Sequence, residues 1–141
     1  MNSYGGNLLI NELFTIRTEG EFESAHSIRE YVEIENGKFI DEPIHGHTWK
    51  VEAFISSQKI NERTGFAVDF LHVKKKIDEL CNYLDHKLIN EVSPFDKINP
   101  STENISKWFY ENISGIVARE SLLEKVIVWE GPHNYVIYQK L

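Results

Sequence analysis

Three histidines in this chain have the spacing of a metal site. His45 and His47 lie one residue apart at the head of an alternating segment, and His26 ends the segment FESAH. Three imidazoles with an open fourth position form a catalytic zinc site, and residues i and i+2 of a strand face the same side. If the two segments pair as strands, all three rings meet. The alternative is that the rings are half-buried and bond backbone carbonyls, and the spacing alone does not decide between the two.

Asp85 and His86 form a second candidate pair, in the segment YLDHKLIN near the end of a predicted helix. A carboxylate beside an imidazole orients the ring and raises its basicity, as a general base requires. The alternative is structural, because a histidine near a helix C-terminus complements the helix dipole.

Glu130 is a third candidate. It shares strand parity with Val126 and Val128, which predicts that its side chain points inward. A buried carboxylate needs a hydrogen-bond donor, and a ligand with two adjacent N–H groups supplies two. The alternative is a solvent-facing glutamate before a turn. His72 and His133 are predicted to be exposed and receive no role.

The strands that position these residues are predicted from hydrophobic periodicity. A first strand covers residues 8–18 and, after a turn at Gly20, the chain stays extended to about Ile28. Residues 45–55 alternate between apolar and polar, which indicates a half-buried strand with both histidines on its apolar face. The polar stretch between the two strands contains the turn signal Asn36-Gly37.

Two helices and two further strands follow. The first helix is indicated by apolar residues at three- and four-residue spacing, namely Phe70, Val73, Ile77, Leu80, Leu84 and Leu88. The second begins at the cap candidates Ser101 and Thr102, carries Glu103 in its first turn, and has the apolar face Ile105, Trp108, Phe109, Ile113 and Ile116. The last segment predicts two strands around a Gly131-Pro132 turn. The order β-β-α-α-β-β predicts an α+β domain with an antiparallel sheet and helices on one face.

Composition narrows the class of protein. The length of 141 residues suits a single domain over 1–141, and the net charge of −7 argues against general nucleic-acid binding. The one cysteine, Cys81, excludes an internal disulfide and is most simply a small core residue. No apolar run has the length of a membrane span, and the N-terminus lacks the pattern of a signal peptide, so we expect a cytoplasmic protein without membrane partners.

Six segments, in order and over nearly the whole chain, resemble the 6-pyruvoyl-tetrahydropterin synthase / 6-carboxytetrahydropterin synthase family. They are FESAH (22–26), HGH (45–47), GFAVDF (65–70), LDHKLIN (84–90), STEN (101–104) and WEG (129–131). The resemblance implies the tunnelling fold, in which a four-stranded antiparallel sheet carries two helices on one face. It also implies homo-oligomers, trimeric barrels that stack as hexamers, with active sites between subunits.

The resemblance further implies roles for the candidate residues. It implies Zn²⁺ as the cofactor on His26, His45 and His47, and a small-molecule pterin as the substrate. It implies that Glu130 binds the amino-pyrimidine edge of the pterin, helped by groups around Ser101, Thr102 and Glu103. It implies that Asp85 and His86 serve as a proton relay.

One departure from the family pattern affects the expected chemistry. The synthases place a catalytic cysteine four residues before the first histidine of HGH, where this chain has Asp41. Glu42 instead lies three residues before His45, which looks like a branch of the family in which glutamate replaces the cysteine. That branch cleaves 7,8-dihydroneopterin triphosphate to 6-hydroxymethyl-7,8-dihydropterin, a folate precursor. A carboxylate suits removal of a hydroxyl proton better than of a carbon-bound one, which favours carbon–carbon cleavage.

Two other functions stay open at this point. One is 6-carboxytetrahydropterin synthesis for deazapurine (queuosine) formation, with Glu42 or Asp41 in place of the thiol. The other is a non-catalytic pterin-binding or assembly protein. Five basic residues are candidates for phosphate binding, although solvated surface positions explain each of them more simply: Arg17, Arg29, Lys38, Lys50 and Arg63.

Overall fold

The structure, a computed structural model, describes residues 11–141. In chain order the elements are β1 (Phe14–His26), β2 (Val32–Glu33), β3 (Phe39–Ile40), β4 (His45–Ser57), α1 (Phe70–Leu84), α2 (Thr102–Ser114), β5 (Ser121–Glu130) and β6 (Asn134–Tyr138). The four long strands form an antiparallel sheet in the order β1-β4-β5-β6. Helix α1 packs mainly on β1, and α2 packs on β5 and β6. The predicted α+β class is confirmed.

Strand β1 is less interrupted than the sequence predicted, and it begins at Phe14, so residues 11–13 of the predicted strand lie outside it. It pairs with β4 without a break from Phe14 to His26, so the turn predicted at Gly20 is wrong. A Cβ atom on Gly20 would lie 2.6 Å from Cγ2 of Ile77 and 3.1 Å from Sγ of Cys81. Glycine is needed there because α1 approaches the backbone of the strand closely. The predicted start of this strand, residues 8–10, lies outside the described residues.

A small hairpin interrupts the polar stretch between β1 and β4. Strands β2 and β3 pair through Val32 with Ile40 and through Glu33 with Phe39. The predicted turn at Asn36-Gly37 is confirmed, with both residues in the left-handed region at φ 60° and 71°. The two strands themselves were not predicted, because each is only two residues long.

Both helices end earlier than their apolar patterns suggested. Helix α1 stops at Leu84, and the chain reverses through His86 at φ 54°, so Leu88 lies beyond the helix and bridges to Ala25. Helix α2 stops at Ser114, before Ile116. At its start, the Ser101 hydroxyl accepts a hydrogen bond from the backbone N–H of Asn104, as the capping prediction required.

The core lies between the sheet and the two helices. Trp49 is fully buried and stacks on Phe22 at a centroid distance of 5.7 Å. Cys81 is 2% exposed, which confirms its prediction as a core residue. Within residues 11–141, no helix combines the length and apolar character that crossing a membrane requires.

Candidate functional site

The three histidines meet where β1 ends and β4 begins. His26 pairs directly with His45 in the strand register, and His47 lies two residues further on the same face. One ring nitrogen from each histidine lies within 4.8 Å of the other two. The cluster is partly buried: His26 is 1% exposed and packs edge-on against Trp49 at a centroid distance of 5.0 Å, whereas the side chains of His45 and His47 are 35% and 23% exposed.

Backbone carbonyls fix the orientation of two of these rings. Nδ1 of His26 lies 2.7 Å from the carbonyl oxygen of Pro100, and Nδ1 of His45 lies 2.8 Å from that of Pro43. A carbonyl oxygen only accepts, so each Nδ1 carries a proton and donates it. In the neutral ring, Nε2 then carries a lone pair, and the two Nε2 atoms face each other at 3.1 Å.

The third ring has an unpartnered nitrogen. Among the described residues, Nε2 of His47 is buried without a hydrogen-bond partner. Burial lowers the pKa of His47 and outweighs the opposite effect of the Glu130 and Glu42 carboxylates. The neutral ring is the form that binds a metal ion.

This arrangement fits a zinc ion. The Nε2 lone pairs of His26 and His45 face each other, and the buried Nε2 of His47 has no hydrogen-bond partner among the described residues. One divalent cation could accept a lone pair from each of these three nitrogens. Imidazole is a normal zinc ligand, and the hydrogen bonds from Nδ1 to backbone carbonyls are the usual support of such ligands. The residues that would hold the ion are therefore His26, His45 and His47.

Glu130 lies beside the cluster and faces inward, as its strand parity predicted. Its Oε2 accepts a hydrogen bond from Oγ1 of Thr102 at 2.8 Å and lies 3.6 Å from Nε2 of His26. Its Oε1 lies 3.8 Å from Nε2 of His47. Thr102 is placed by the start of α2, because the preceding residue, Ser101, is the helix cap. The carboxylate of Glu130 is thus held next to the metal ligands with acceptor capacity to spare.

Glu42 lies on the other side of His45. Its Oε1 is 3.9 Å from Nδ1 of His45 and accepts a hydrogen bond from the backbone N–H of Ile28 at 3.2 Å. The backbone of Glu42 also bonds the segment after β1, through the carbonyl of Ile28 and the hydroxyl of Ser27. The carboxylate is therefore fixed beside His45, on the Nδ1 side of the ring.

The Asp85–His86 pair is placed differently. Nδ1 of His86 donates to Oδ2 of Asp85 at 2.8 Å, and Oδ1 of Asp85 accepts from the backbone N–H of Glu23 at 2.8 Å. The pair is thus attached to the outer edge of β1, and 76% of the His86 side chain is exposed. Within residues 11–141, no hydrogen bond or ion pair joins it to the three histidines.

The family assignment follows from comparison with known proteins. The family model described as 6-pyruvoyl tetrahydropterin synthase matches residues 15–140. The chain belongs to the 6-pyruvoyl tetrahydropterin synthase family. Its relatives include a dihydroneopterin monophosphate aldolase from Pyrococcus furiosus, 32% identical over 110 residues that cover 78% of this chain and 83% of the relative. They also include a putative 6-carboxy-5,6,7,8-tetrahydropterin synthase from Pyrococcus horikoshii, 30% identical over 82% of this chain and 83% of the relative.

The fold agrees with this family. The structure of the Caenorhabditis elegans 6-pyruvoyl tetrahydropterin synthase superposes with a TM-score of 0.76 at 19% identity, covering 94% of this chain and 100% of that chain. The predicted tunnelling fold is therefore confirmed, and the chain is a member of a family of pterin lyases and synthases.

In this member of the 6-pyruvoyl tetrahydropterin synthase family, the one cysteine is a buried residue of α1. Burial in α1 raises the pKa of Cys81 to about 12, so no thiolate forms there at neutral pH. Asp41 is exposed, and its carboxylate accepts a hydrogen bond from the backbone N–H of Glu30 at 2.9 Å, which is a loop contact. Glu42 is the acidic residue nearest to the cluster on that segment.

Two of the basic residues considered for phosphate are already engaged. The guanidinium of Arg17 pairs with the carboxylates of Glu19 and Glu52. The guanidinium of Arg29 donates to three backbone carbonyls, those of Asn90, Phe95 and Ile98. The solvated-surface interpretation is therefore wrong for Arg29.

Sequence reasoning missed the groups that orient the cluster. The carbonyl oxygens of Pro43 and Pro100 fix His45 and His26, yet a backbone acceptor carries no residue-type signal. The side chains of Asn90 and Asn99 fasten the segment after β1, and they lie about 60 to 70 residues away in sequence. No local pattern connects them with His26.

Proposed function

We propose that this chain is a zinc-dependent lyase that breaks the C1′–C2′ bond of 7,8-dihydroneopterin triphosphate and releases 6-hydroxymethyl-7,8-dihydropterin, a precursor in folate biosynthesis. The observation that carries this proposal is the carboxylate of Glu42 beside His45, 3.9 Å from its Nδ1, in a chain whose one thiol is buried elsewhere. A base of this kind suits abstraction of a hydroxyl proton, which starts a retro-aldol cleavage.

Glu130 and Thr102 form the proposed pterin-binding site. The amino-pyrimidine edge of a pterin presents adjacent N–H groups, and a carboxylate accepts two such hydrogen bonds side by side. The hydrogen bond from Thr102 fixes Glu130 before the ligand arrives. Its position beside His26 and His47 would then place the side chain of the pterin at the metal ligands.

The metal and the base have separate tasks in the proposed reaction. His26, His45 and His47 would hold the zinc ion, which would supply Lewis acidity toward a hydroxyl of the substrate. Glu42 accepts the proton of the 2′-hydroxyl, and the O–H electron pair becomes the second bond of a carbonyl at C2′. The C1′–C2′ bond breaks, its electrons move into the pterin ring, and protonation at C1′ gives the hydroxymethyl group. The other product is a phosphorylated two-carbon aldehyde.

Asp85 and His86 are proposed to move protons in the site of a neighbouring subunit. Within one subunit the pair is exposed and is hydrogen-bonded only to the edge of β1. A homo-oligomer, a trimer or hexamer with sites between subunits, would bring it to a cluster on another copy. A mass measurement in solution by light scattering tests this part, and a monomer at working concentration would contradict it.

A second candidate substrate differs only in its number of phosphates. The Pyrococcus furiosus relative is named for the monophosphate. Arg17 and Arg29 are already engaged by carboxylates and carbonyls, which lowers the positive charge open to a triphosphate. Cleavage of 7,8-dihydroneopterin monophosphate by the same route is therefore the alternative substrate for the same lyase.

Product analysis tests the proposal. Zinc-loaded protein is incubated separately with dihydroneopterin triphosphate and monophosphate, and the pterins are separated by chromatography. We expect 6-hydroxymethyl-7,8-dihydropterin as the product. The phosphate ester that is cleaved faster, triphosphate or monophosphate, is the preferred substrate. Dominant 6-carboxytetrahydropterin would instead favour the synthase named for the Pyrococcus horikoshii relative. Bound but unchanged pterin would favour a non-catalytic binding protein.

A variant of Glu42 separates the base from the metal site. Glu42→Gln should lower turnover by about 10²- to 10⁴-fold while the zinc content stays at the wild-type level. Glu33→Gln is the matched control, because Glu33 is exposed on β2 and, like Glu42, lies between β1 and β4. Unchanged turnover in Glu42→Gln would assign the base role to Asp85 and His86.

A further inference from the structure

The segment between α1 and α2 is fastened to the end of β1 by side chains. Oδ1 of Asn90 accepts from the backbone N–H of Ser27 at 2.9 Å, and its Nδ2 donates to the carbonyl of Ser27 at 2.7 Å. In the same way, Oδ1 of Asn99 accepts from the backbone N–H of Arg29 at 2.8 Å, and its Nδ2 donates to the carbonyl of Arg29 at 3.1 Å. Each side-chain amide therefore bonds both the backbone N–H and the backbone carbonyl of one residue, as a neighbouring strand would in a sheet.

Arg29 closes the arrangement from the opposite direction. Its guanidinium donates to the carbonyl of Asn90 at 3.1 Å, to that of Phe95 at 2.8 Å and to that of Ile98 at 3.2 Å. Phe95 is fully buried in the core, so the middle of the segment is anchored as well. The guanidinium of an arginine has five donors in a rigid planar fork, which suits bonding to several carbonyls at fixed positions.

The fastened segment leads directly to the histidine cluster. The carbonyl of Asn99 accepts a hydrogen bond from Nδ2 of Asn104 at 2.9 Å. The next carbonyl, that of Pro100, accepts from Nδ1 of His26 at 2.7 Å. Two residues further, Thr102 donates to Glu130. Asn99 therefore immediately precedes Pro100, whose carbonyl orients the candidate metal ligand His26. It lies three residues before Thr102, whose hydroxyl orients the proposed pterin acceptor Glu130.

We propose that Arg29, Asn90 and Asn99 form a clamp that holds the Pro100 carbonyl against His26 and thereby sets which nitrogen of His26 faces the metal. The three are positioning residues, and this inference rests on the metal site of the proposed function. Without the clamp, the Pro100 carbonyl moves, His26 loses the acceptor for Nδ1, and its Nε2 is no longer held toward His45 and His47. Groups that support metal ligands in this way typically affect metal affinity by about 10- to 100-fold.

The experiment measures zinc affinity directly, by competition with a chromophoric chelator. Asn99→Ala removes both hydrogen bonds to the backbone of Arg29, and Arg29→Lys keeps the charge but loses the fork. We expect each variant to bind zinc about 10- to 100-fold more weakly than the unaltered chain. Asn82→Ala, an exposed asparagine of α1, is the control and should bind zinc as the unaltered chain does.

A second readout separates positioning from simple destabilisation. Cobalt(II) in place of zinc gives visible absorption bands that depend on ligand geometry, and these bands should change in Asn99→Ala and Arg29→Lys but not in Asn82→Ala. Circular dichroism identifies variants that remain folded, and the comparison uses those. Wild-type zinc affinity with wild-type cobalt bands in a folded variant would overturn the clamp, even if its melting temperature fell. Failure of the unaltered chain to bind zinc or cobalt would overturn the proposed function as well.

Discussion

Two candidate regions of this molecule, the histidine cluster and the Asp85–His86 pair, differ in how far they are buried. The cluster of His26, His45 and His47 is partly buried, and two of its rings are oriented by backbone carbonyls. The Asp85–His86 pair is oriented just as firmly, through the backbone of Glu23, but it lies on the exposed edge of a strand. One region gathers three imidazole rings around a common centre, and the other is a carboxylate–imidazole pair that faces solvent.

We interpret this difference as a division between metal binding in the cluster and proton transfer at the Asp85–His86 pair. Imidazoles that bind a metal benefit from burial, because burial favours the neutral form of the ring. A pair that moves protons must change charge, and exposure or a partner surface makes that change easier. The comparison therefore predicts distinct losses when each region is altered.

The largest expected effect is the loss of the metal. His47→Ala removes one of three donors, so zinc content should fall to near zero and turnover by at least about 10³-fold. Elemental analysis of untagged protein and a product assay measure the two quantities. Zinc retained in the variant would show that the cluster is not the metal site.

Mixing two inactive variants tests whether the regions act across subunits. His47→Ala keeps an intact Asp85–His86 pair, and His86→Ala keeps an intact cluster. If each site combines a cluster with a pair from the neighbouring subunit, an equal mixture assembled together should regain about a quarter of the sites. Turnover that stays at the level of the separate variants would mean that the pair serves its own subunit.

A smaller effect is expected on the protonation of His86. The hydrogen bond to the Asp85 carboxylate raises the pKa of His86 above its ordinary value of 6.5. Asp85→Asn should move that pKa back toward the ordinary value, because the negative charge is lost while a hydrogen-bond acceptor remains. Titration of the imidazole by NMR measures the change, and an unaltered pKa would contradict the pairing.

The same pair has a defined pH window. The raised pKa of His86 stabilises the fold at low pH, and this contribution is lost as pH rises through the raised value. The backbone N–H of Glu23 and the ring of His86 lower the pKa of Asp85, so its contribution is lost as pH falls through that lowered value. Stability of the wild type relative to Asp85→Asn should be greatest between these two limits.

The smallest effect is expected at Cys81, which belongs to neither region. Its pKa of about 12 and its burial predict a thiol that resists alkylation at pH 8 in the folded protein and reacts after unfolding. Cys81→Ala should leave turnover unchanged. A large loss of turnover would mean that a thiol takes part in the reaction after all.

Much of the fold could be predicted because its signals are local. The alternation of residues 45–55 placed His45 and His47 on one face, and the structure shows them there. The cap at Ser101 and the turn at Gly131 were predicted from short motifs, and both are observed. The inward orientation of Glu130 followed from parity alone.

Two of the errors share a physical cause, since both concern a contact between distant segments. Gly20 was taken for a turn because glycine is common in turns, whereas its neighbour is a helix more than fifty residues later. Leu88 continued the helical period, but its packing partner is β1. The clamp of Arg29, Asn90 and Asn99 bonds backbone atoms, which have no sequence signature.

Gly20 has a consequence for how this protein tolerates change. At the centre of β1, the strand backbone lies so close to Ile77 and Cys81 of α1 that a Cβ atom on residue 20 would clash with both side chains. Sheet and helix are therefore locked in one relative position at that point, and any larger residue would push α1 outward and enlarge the gap beneath it. Redesign of this scaffold would have to leave that glycine in place, whereas its exposed neighbour Glu21 offers freedom of choice.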